Sequence, residues 1–190
     1  MRRAAQIAIA GPDRRLTYRE LNQRANFAAR HLIACGLHRG SRVIVNEPRS
    51  VQTAVLLLGI LKAGAAYTWL DDDHCAWGRG VFILRGTADS PSVESVVAIR
   101  PEALVGDGGL RPSPNLPIVT RAADIACVLP LNHGLSGTLV PHATITALQE
   151  CPVADQVEWS DQDSTAFDLW LALMRGSTVV VGERAAAVAA

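Results

Sequence analysis

Glycine and hydroxyl residues gather in one short segment whose chemistry suits an anion. The segment contains Gly134, Ser136, Gly137 and Thr138. Successive backbone N–H groups, together with Ser and Thr hydroxyls, can surround the oxygens of a phosphate. We treat these four residues as a candidate phosphate-binding loop. The alternative is a shortened surface turn without a nucleotide role.

The charge around this segment is unfavourable for a triphosphate. No Lys or Arg occurs from Ala122 to Met174, whereas the same stretch contains seven carboxylates. Two like charges about 4 Å apart repel by roughly 4 kcal/mol at an effective dielectric constant of about 20. A bound metal ion would offset part of this repulsion. Without one, the composition favours the surface turn over a working phosphate loop.

The chain of 190 residues has a formal net charge of zero, but its N-terminal and C-terminal parts carry opposite net charges. Residues 1–121 carry a net +6 and residues 122–190 a net −6. The arginines are spread along the chain rather than concentrated on one element, which argues against a nucleic-acid partner. The longest apolar stretch, residues 54–70, contains Lys62 and Gly64 and is too short to span a bilayer. We therefore predict neither a nucleic-acid nor a membrane partner.

The cysteines predict neither a disulfide framework nor a zinc site. Cys35, Cys75, Cys127 and Cys151 lie far apart and form no C-x-x-C pair. His74, next to Cys75, completes the one adjacent pair of metal-ligating types. We predict free thiols in a reducing cytoplasm and no metal site.

Local patterns place these residues on an α/β framework. Thr17 and Glu20 form a capping box before a helix predicted over residues 18–35, and Gly36 can supply its left-handed end. A strand at 42–46, a helix that follows Ser50 and ends at Leu61, and a strand at 66–70 predict a βαβ unit. The remaining predictions are strands at 81–84, 93–99, 125–129 and 178–181, helices at 142–151 and 165–175, and a long loop at 101–117.

Two motifs of this framework resemble those of a known family. Residues 16–22 read Leu-Thr-Tyr-Arg-Glu-Leu-Asn, and residues 61–71 read Leu-Lys-Ala-Gly-Ala-Ala-Tyr-Thr-Trp-Leu-Asp. In amino-acid sequence, order and separation, these two stretches resemble the first two core motifs of adenylation domains in non-ribosomal peptide synthetases. Those domains belong to the AMP-dependent synthetase/ligase (adenylate-forming) family. The resemblance implies a partial N-terminal subdomain of that α/β fold, with βαβ units and a largely parallel sheet. Both motifs are mainly structural and place no catalytic group.

The resemblance also implies a chemistry, with ATP and Mg as cofactors. Members of the family convert a carboxylate and ATP to acyl-AMP and pyrophosphate. Gly134, Ser136, Gly137 and Thr138 correspond to the family's phosphate loop, but the Pro-Lys-Gly that follows it in the family is missing, so the loop is degenerate. Ala166-Phe167-Asp168 resembles the motif whose carboxylate receives the α-ammonium of an amino acid. A plain helix-start carboxylate is the alternative role for Asp168.

The family pattern covers part of an adenylation domain. We assign residues 1–184 to a truncated AMP-binding domain and residues 185–190 to an Ala-rich tail. The family's adenine-stacking segment, ribose-binding Asp, hinge and small C-terminal domain with its catalytic Lys have no counterpart in the sequence. We therefore expect an adenylation-domain-like protein of non-ribosomal peptide or secondary-metabolite biosynthesis that does not form acyl-AMP alone, with no catalytic residue assigned.

Three alternatives to this expectation remain open. The chain is one part of a split amino-acid-activating ligase completed in trans, a non-catalytic scaffold beside a synthetase, or a gene remnant without function. The partners that follow from these alternatives are peptide synthetase proteins, a complementary adenylation fragment, or a second copy of the chain.

Overall fold

The helices and strands come from a computed structural model that describes residues 2–69, 80–85, 95–99, 114–130, 137–160 and 166–182, with only the backbone at 2–3, 80–85, 95–99, 130, 137 and 166. The helices are α1 (Tyr18–Ala34), α2 (Val51–Lys62), α3 (His142–Ala147) and α4 (Ala166–Arg175), with 3-10 turns at Arg2–Ala5 and Leu148–Glu150. The strands are β1 (Ile7–Ala10), β2 (Arg15–Thr17), β3 (Arg42–Asn46), β4 (Ala66–Trp69), β5 (Gly80–Arg85), β6 (Ser95–Ile99), β7 (Ile125–Pro130), β8 (Gly137–Pro141), β9 (Gln156–Trp159) and β10 (Thr178–Val181).

These strands form two sheets with parallel centres. In the first sheet, of order β2-β1-β10-β9, strands β1, β10 and β9 are parallel and β2 is antiparallel to β1. In the second, of order β6-β5-β3-β4-β7-β8, the central β3, β4 and β7 are parallel. Strands β5, β6 and β8 of this sheet pair antiparallel with their neighbours. The α/β class is confirmed.

Helices α1 and α2 pack tightly against each other, with α1 beside β1 and β2 and α2 beside β4. The capping box is present, since Thr17 Oγ1 accepts from the Glu20 N–H and the Glu20 carboxylate accepts from the Thr17 N–H. Gly36 has φ 93°, a left-handed backbone that favours glycine after the helix end. A Cβ added at Gly59 would lie 3.0 Å from Ala28 Cβ, so glycine allows the close approach of the two helices.

The predicted βαβ unit is confirmed as β3–α2–β4. Strands β3 and β4 are parallel, with Val45 opposite Trp69, and Ser50 caps α2 through the Thr53 N–H. Nearly every side of α2 is buried, as expected for a helix between a sheet and another helix. This arrangement fixes the ends of β3 and β4 at the same edge of the sheet.

The structure departs from the predictions at short elements. The helix predicted at 142–151 is α-helical only to Ala147 and then forms a 3-10 turn to Glu150. Cys151 is extended, with φ −74° and ψ 138°, because the residue before Pro152 is disfavoured in the helical region. Strands β2, β8 and β9 add to the predicted set. Predictions at residues 70, 93–94, 101–113, 165 and 185–190 lie outside the described residues.

Candidate functional site

The predicted phosphate loop follows the carboxyl end of β7. Gly134 and Ser136 lie outside the described residues. Gly137 and Thr138 belong to β8, where they pair with Pro130 and Leu129 of β7, so they form the start of a strand rather than part of a turn. Thr138 is exposed. Ligands of open α/β sheets bind outside the carboxyl ends of parallel strands, and Gly137 and Thr138 lie beside the carboxyl end of β7.

Asp168 lies in the first turn of α4, the helix that follows the carboxyl end of β9. It is half-buried, while Leu169, Trp170 and Ala172 of the same helix are buried. A carboxylate in a first turn stabilises the helix dipole, so the local structure fits both the helix-start role and the substrate role. The burial of these three apolar side chains fixes the position of α4 and therefore the position of the Asp168 carboxylate.

Tyr67 of β4 contacts both α4, the helix that carries Asp168, and β7, the strand that precedes the candidate loop in the sequence. Its hydroxyl accepts a hydrogen bond of 2.7 Å from Trp170 Nε1, and the two rings are 6.4 Å apart. On its other side β4 pairs with β7, where Tyr67 is opposite Cys127 and its hydroxyl contacts the Cys127 thiol. Burial raises the pKa of Tyr67 well above its ordinary value and that of Cys127 to about 11, so both stay protonated at pH 7.

An arginine and two tryptophans meet at the same edge. The Arg49 guanidinium carbon is 5.3 Å from the centre of the Trp69 ring and 5.9 Å from that of Trp159. The two indoles are in edge-to-face contact, 6.0 Å apart. Trp69 ends β4 and Trp159 ends β9, so the cluster joins the two sheets at their carboxyl ends. We call Arg49, Trp69 and Trp159 the Arg-Trp cluster. These residues are not in the sequence prediction, although Trp69 lies within the second motif and Arg49 directly precedes the α2 cap.

Asp124 forms an ion pair with an arginine at the start of β7. It forms a bidentate pair with Arg39, with Nε–Oδ2 and Nη2–Oδ1 distances of 2.7 and 2.6 Å, and accepts from the Arg121 N–H. It directly precedes β7, so the length of that strand, about 20 Å at roughly 3.3 Å per residue, separates it from the strand's carboxyl end. Asp124, one of the seven carboxylates counted from Ala122 to Met174, is therefore neutralised by Arg39.

The Arg39–Asp124 pair predicts a pH-dependent contribution to stability. The hydrogen bonds from Arg39, and then that from the Arg121 N–H, hold the pKa of Asp124 below its ordinary value of 3.8. A lowered folded-state pKa stabilises the fold above the unfolded pKa, and this contribution is lost as pH falls below about 4. We expect Asp124→Asn to lower the free energy of unfolding in urea at pH 7, with the deficit shrinking towards pH 3. Asp13→Asn, at an exposed position, is the control; an equal deficit at both pH values would contradict the prediction.

The described part of the chain offers no ready metal site. No three His, Cys, Asp or Glu residues in it are grouped as a metal would require, so the described residues do not by themselves fit a Mg ion. Among the described residues, Cys35, Cys127 and Cys151 form no disulfide, and Cys75 lies outside the described residues. None of the described helices combines the length and apolarity needed to cross a bilayer.

Comparison with known proteins identifies this arrangement. Malpinin synthetase of Mortierella alpina is 35% identical over 209 aligned residues, covering 95% of this chain and 3% of that protein. Bacitracin synthase 1 of Bacillus licheniformis is 27% identical over 203 residues, covering 97% of this chain and 4% of that protein. The N-terminal subdomain of Klebsiella oxytoca NpsA, in complex with 3-hydroxyanthranilyl-AMSN, matches with a TM-score of 0.70 and 18% identity over 95% of this chain and 50% of that chain.

The class of protein follows from the fold, the two motifs and these comparisons. The chain has the α/β fold of the N-terminal subdomain of peptide synthetase adenylation domains, as the resemblance implies. Residues 1–85 match the AMP-binding enzyme family. The chain spans only 3–4% of the length of the two synthetases. Their activities and partners therefore enter below as proposals.

Proposed function

We propose that this chain contributes an amino-acid-activating type of site to peptide synthetase proteins and does not form acyl-AMP alone. The observation that carries this proposal is the absence of Lys and Arg from Ala122 to Met174, the part of the sequence on both sides of the candidate phosphate loop. Transfer of a nucleotide phosphoryl group depends mainly on preorganised charge around the phosphates. The loop itself supplies amides and hydroxyls but no cation.

The roles that remain for the chain's own residues are binding roles. Asp168 is assigned the role of receiving an α-ammonium group, because it lies in the first turn of the helix that follows β9 in the chain. Backbone amides around Gly137 can contact an anion at the end of β7. The hydrogen bond between Trp170 and Tyr67 holds α4, which carries Asp168, against β4. Such a site binds and orients its ligands and leaves the electrostatic part of catalysis to other residues.

The direct test is exchange of labelled pyrophosphate into ATP. Purified alone, with Mg and each of the common amino acids in turn, the chain is expected to give no amino-acid-dependent exchange above the rate without enzyme. An intact adenylation domain assayed in parallel shows that exchange is detectable. Clear exchange by the chain alone would overturn the proposal.

A split ligase is the second candidate, favoured by the position of Asp168. In this candidate, co-expression with a complementary adenylation fragment restores exchange, and Asp168→Asn in the reconstituted protein raises the KM for the amino acid. Asp155→Asn is the matched control, because Asp155 is exposed and precedes β9 rather than following it. Equal effects of the two variants would assign Asp168 to helix stability alone.

A further inference from the structure

Residues 114–119 lie against α1, and we call them the strap. We propose that the strap opens and closes while the rest of the fold stays intact, and that Asn115 holds it closed. The observation that carries this proposal is that Asn115 Oδ1 accepts two hydrogen bonds from α1, from Asn22 Nδ2 at 2.9 Å and from Asn26 Nδ2 at 3.0 Å. None of these residues belongs to the candidate ligand site, so the device does not depend on the proposed function.

Both sequence motifs supply a polar residue to this closing contact. Asn22 ends the first motif, and Lys62 is the second residue of the other. Lys62 Nζ donates to Asn22 Oδ1 at 2.8 Å. A carboxamide has one accepting oxygen and one donating nitrogen, so the bond from Lys62 leaves the Asn22 nitrogen directed at Asn115. Lys62 of α2 therefore fixes the orientation of an amide that α1 offers to the strap.

The second donor favours the closed strap because it is buried. Asn26 is 0% exposed, whereas Asn115 lies at the surface. A buried amide group that loses a hydrogen-bond partner costs free energy, and this cost opposes opening. Once the strap moves away, water reaches the place that Asn115 occupied and replaces part of the lost bond. The closed state is therefore favoured without being permanent.

The strap has few other contacts that hold it. Its residues belong to no helix or strand, and Pro114 and Pro117 have no N–H to donate. Leu116 is half-buried against the core, while the other five residues are exposed, with Ile118 93% exposed. The exposed Arg30 donates to the Pro114 carbonyl oxygen at 2.7 Å. Segments with so little buried apolar contact open at a lower free-energy cost than the whole domain.

The residues that follow the strap are fixed to the rest of the fold. Asp124 pairs with Arg39 and accepts from the Arg121 N–H, and its own N–H donates to the Arg121 carbonyl oxygen at 3.0 Å. The Ala122 carbonyl oxygen accepts from the Ala143 N–H of α3 at 2.9 Å. Movement of the strap therefore stops before Arg121, and β7 keeps its place when the strap opens.

Native-state proteolysis by thermolysin measures the opening. This protease cuts on the amino side of large apolar residues, which include Ile118 and Val119, and its rate follows the open population when opening and closing are fast. Wild type, Asn115→Ala and Asn115→Asp are digested without denaturant, and initial rates at each cut are read by mass spectrometry. Asn115→Ala is expected to raise the rate in the strap about tenfold or more, because two hydrogen bonds are lost. Asn115→Asp is expected to stay near the wild-type rate, because a carboxylate oxygen accepts both bonds.

The controls separate local opening from loss of the fold. Gln52→Ala, at an exposed position of α2, is expected to leave the rate in the strap unchanged, and Lys62→Met to raise it. Equal rates for wild type and Asn115→Ala would overturn the proposal. So would equal rates for Asn115→Ala and Asn115→Asp, because the accepting oxygen would then have no role. Cleavage of α1 as fast as cleavage of the strap in Asn115→Ala would show that the strap does not open separately, which also overturns it.

Discussion

Replacing Trp170 by alanine is expected to lower the free energy of unfolding by about 3–5 kcal/mol. The side chain is 4% exposed and belongs to the core between α4 and the second sheet. The substitution leaves a large cavity and also removes the N–H that donates to the Tyr67 hydroxyl at 2.7 Å. Urea unfolding followed by far-UV circular dichroism measures the change. A loss below about 1 kcal/mol, the ordinary range of surface substitutions, would show that α4 is not held by this residue.

Trp170→Phe separates the hydrogen bond from the packing. This variant keeps an aromatic ring but leaves the Tyr67 oxygen without its donor, and we expect a loss of about 1–3 kcal/mol. Tyr67→Phe is the partner variant, and the double variant completes a cycle. The coupling energy is expected to be favourable, because the two groups are in direct contact. Strict additivity of the two single losses would contradict a working hydrogen bond.

Replacing Gly59 by valine is expected to have the second largest effect, a loss of about 1–3 kcal/mol or more from overpacking. A Cβ at this position lies 3.0 Å from Ala28 Cβ, 3.2 Å from the Ala25 carbonyl oxygen and 3.3 Å from the Ala29 amide nitrogen. Two of these three atoms belong to the α1 backbone, which cannot move aside as a flexible side chain does. The helices must separate, and α2 would then pull on β3 and β4. Urea unfolding again measures the loss.

Gln52→Val is the matched control for the helix interface. It introduces the same β-branched side chain on α2, but at an exposed position. We expect a change within about 0.5 kcal/mol, as for most surface substitutions. Valine is a better helix former than glycine, so helix propensity cannot explain a loss at Gly59. If both variants lost stability equally, the contact of α2 with α1 would not be the specific cause.

Elements with strong local signals were predictable from the sequence. The strand at 42–46, the strand at 178–181 and the helix that starts after Thr17 have the predicted bounds, or differ by one residue. In each, caps, glycines and apolar periods lie within a few residues of one another. Strands β2, β8 and β9 are three to five residues long, and what defines them is a partner strand. Pairing of that kind has no local signature, because the partner is remote in the sequence.

The residues of the candidate site also differ in whether the sequence alone could predict them. The loop segment and Asp168 can be predicted from residue types and from a family motif, because each lies within one short stretch of the amino-acid sequence. The Arg-Trp cluster cannot, since Arg49 and Trp159 are separated by about 110 positions and meet only when β4 and β9 end at a common edge. The bond between Tyr67 and Trp170 spans 103 positions for the same reason.

The sequence by itself determined the family motifs, the βαβ unit and the absence of cations beside the loop, since each depends on neighbours within one element. The tertiary structure decided where the charges and aromatic rings meet. It pairs Asp124 of the acidic part with Arg39 of the basic part, and it brings Arg49 to Trp69 and Trp159 at the strand ends. At this ion pair, the basic part and the acidic part of the chain are therefore in direct contact. Strand order, which no local pattern encodes, brings the two parts together.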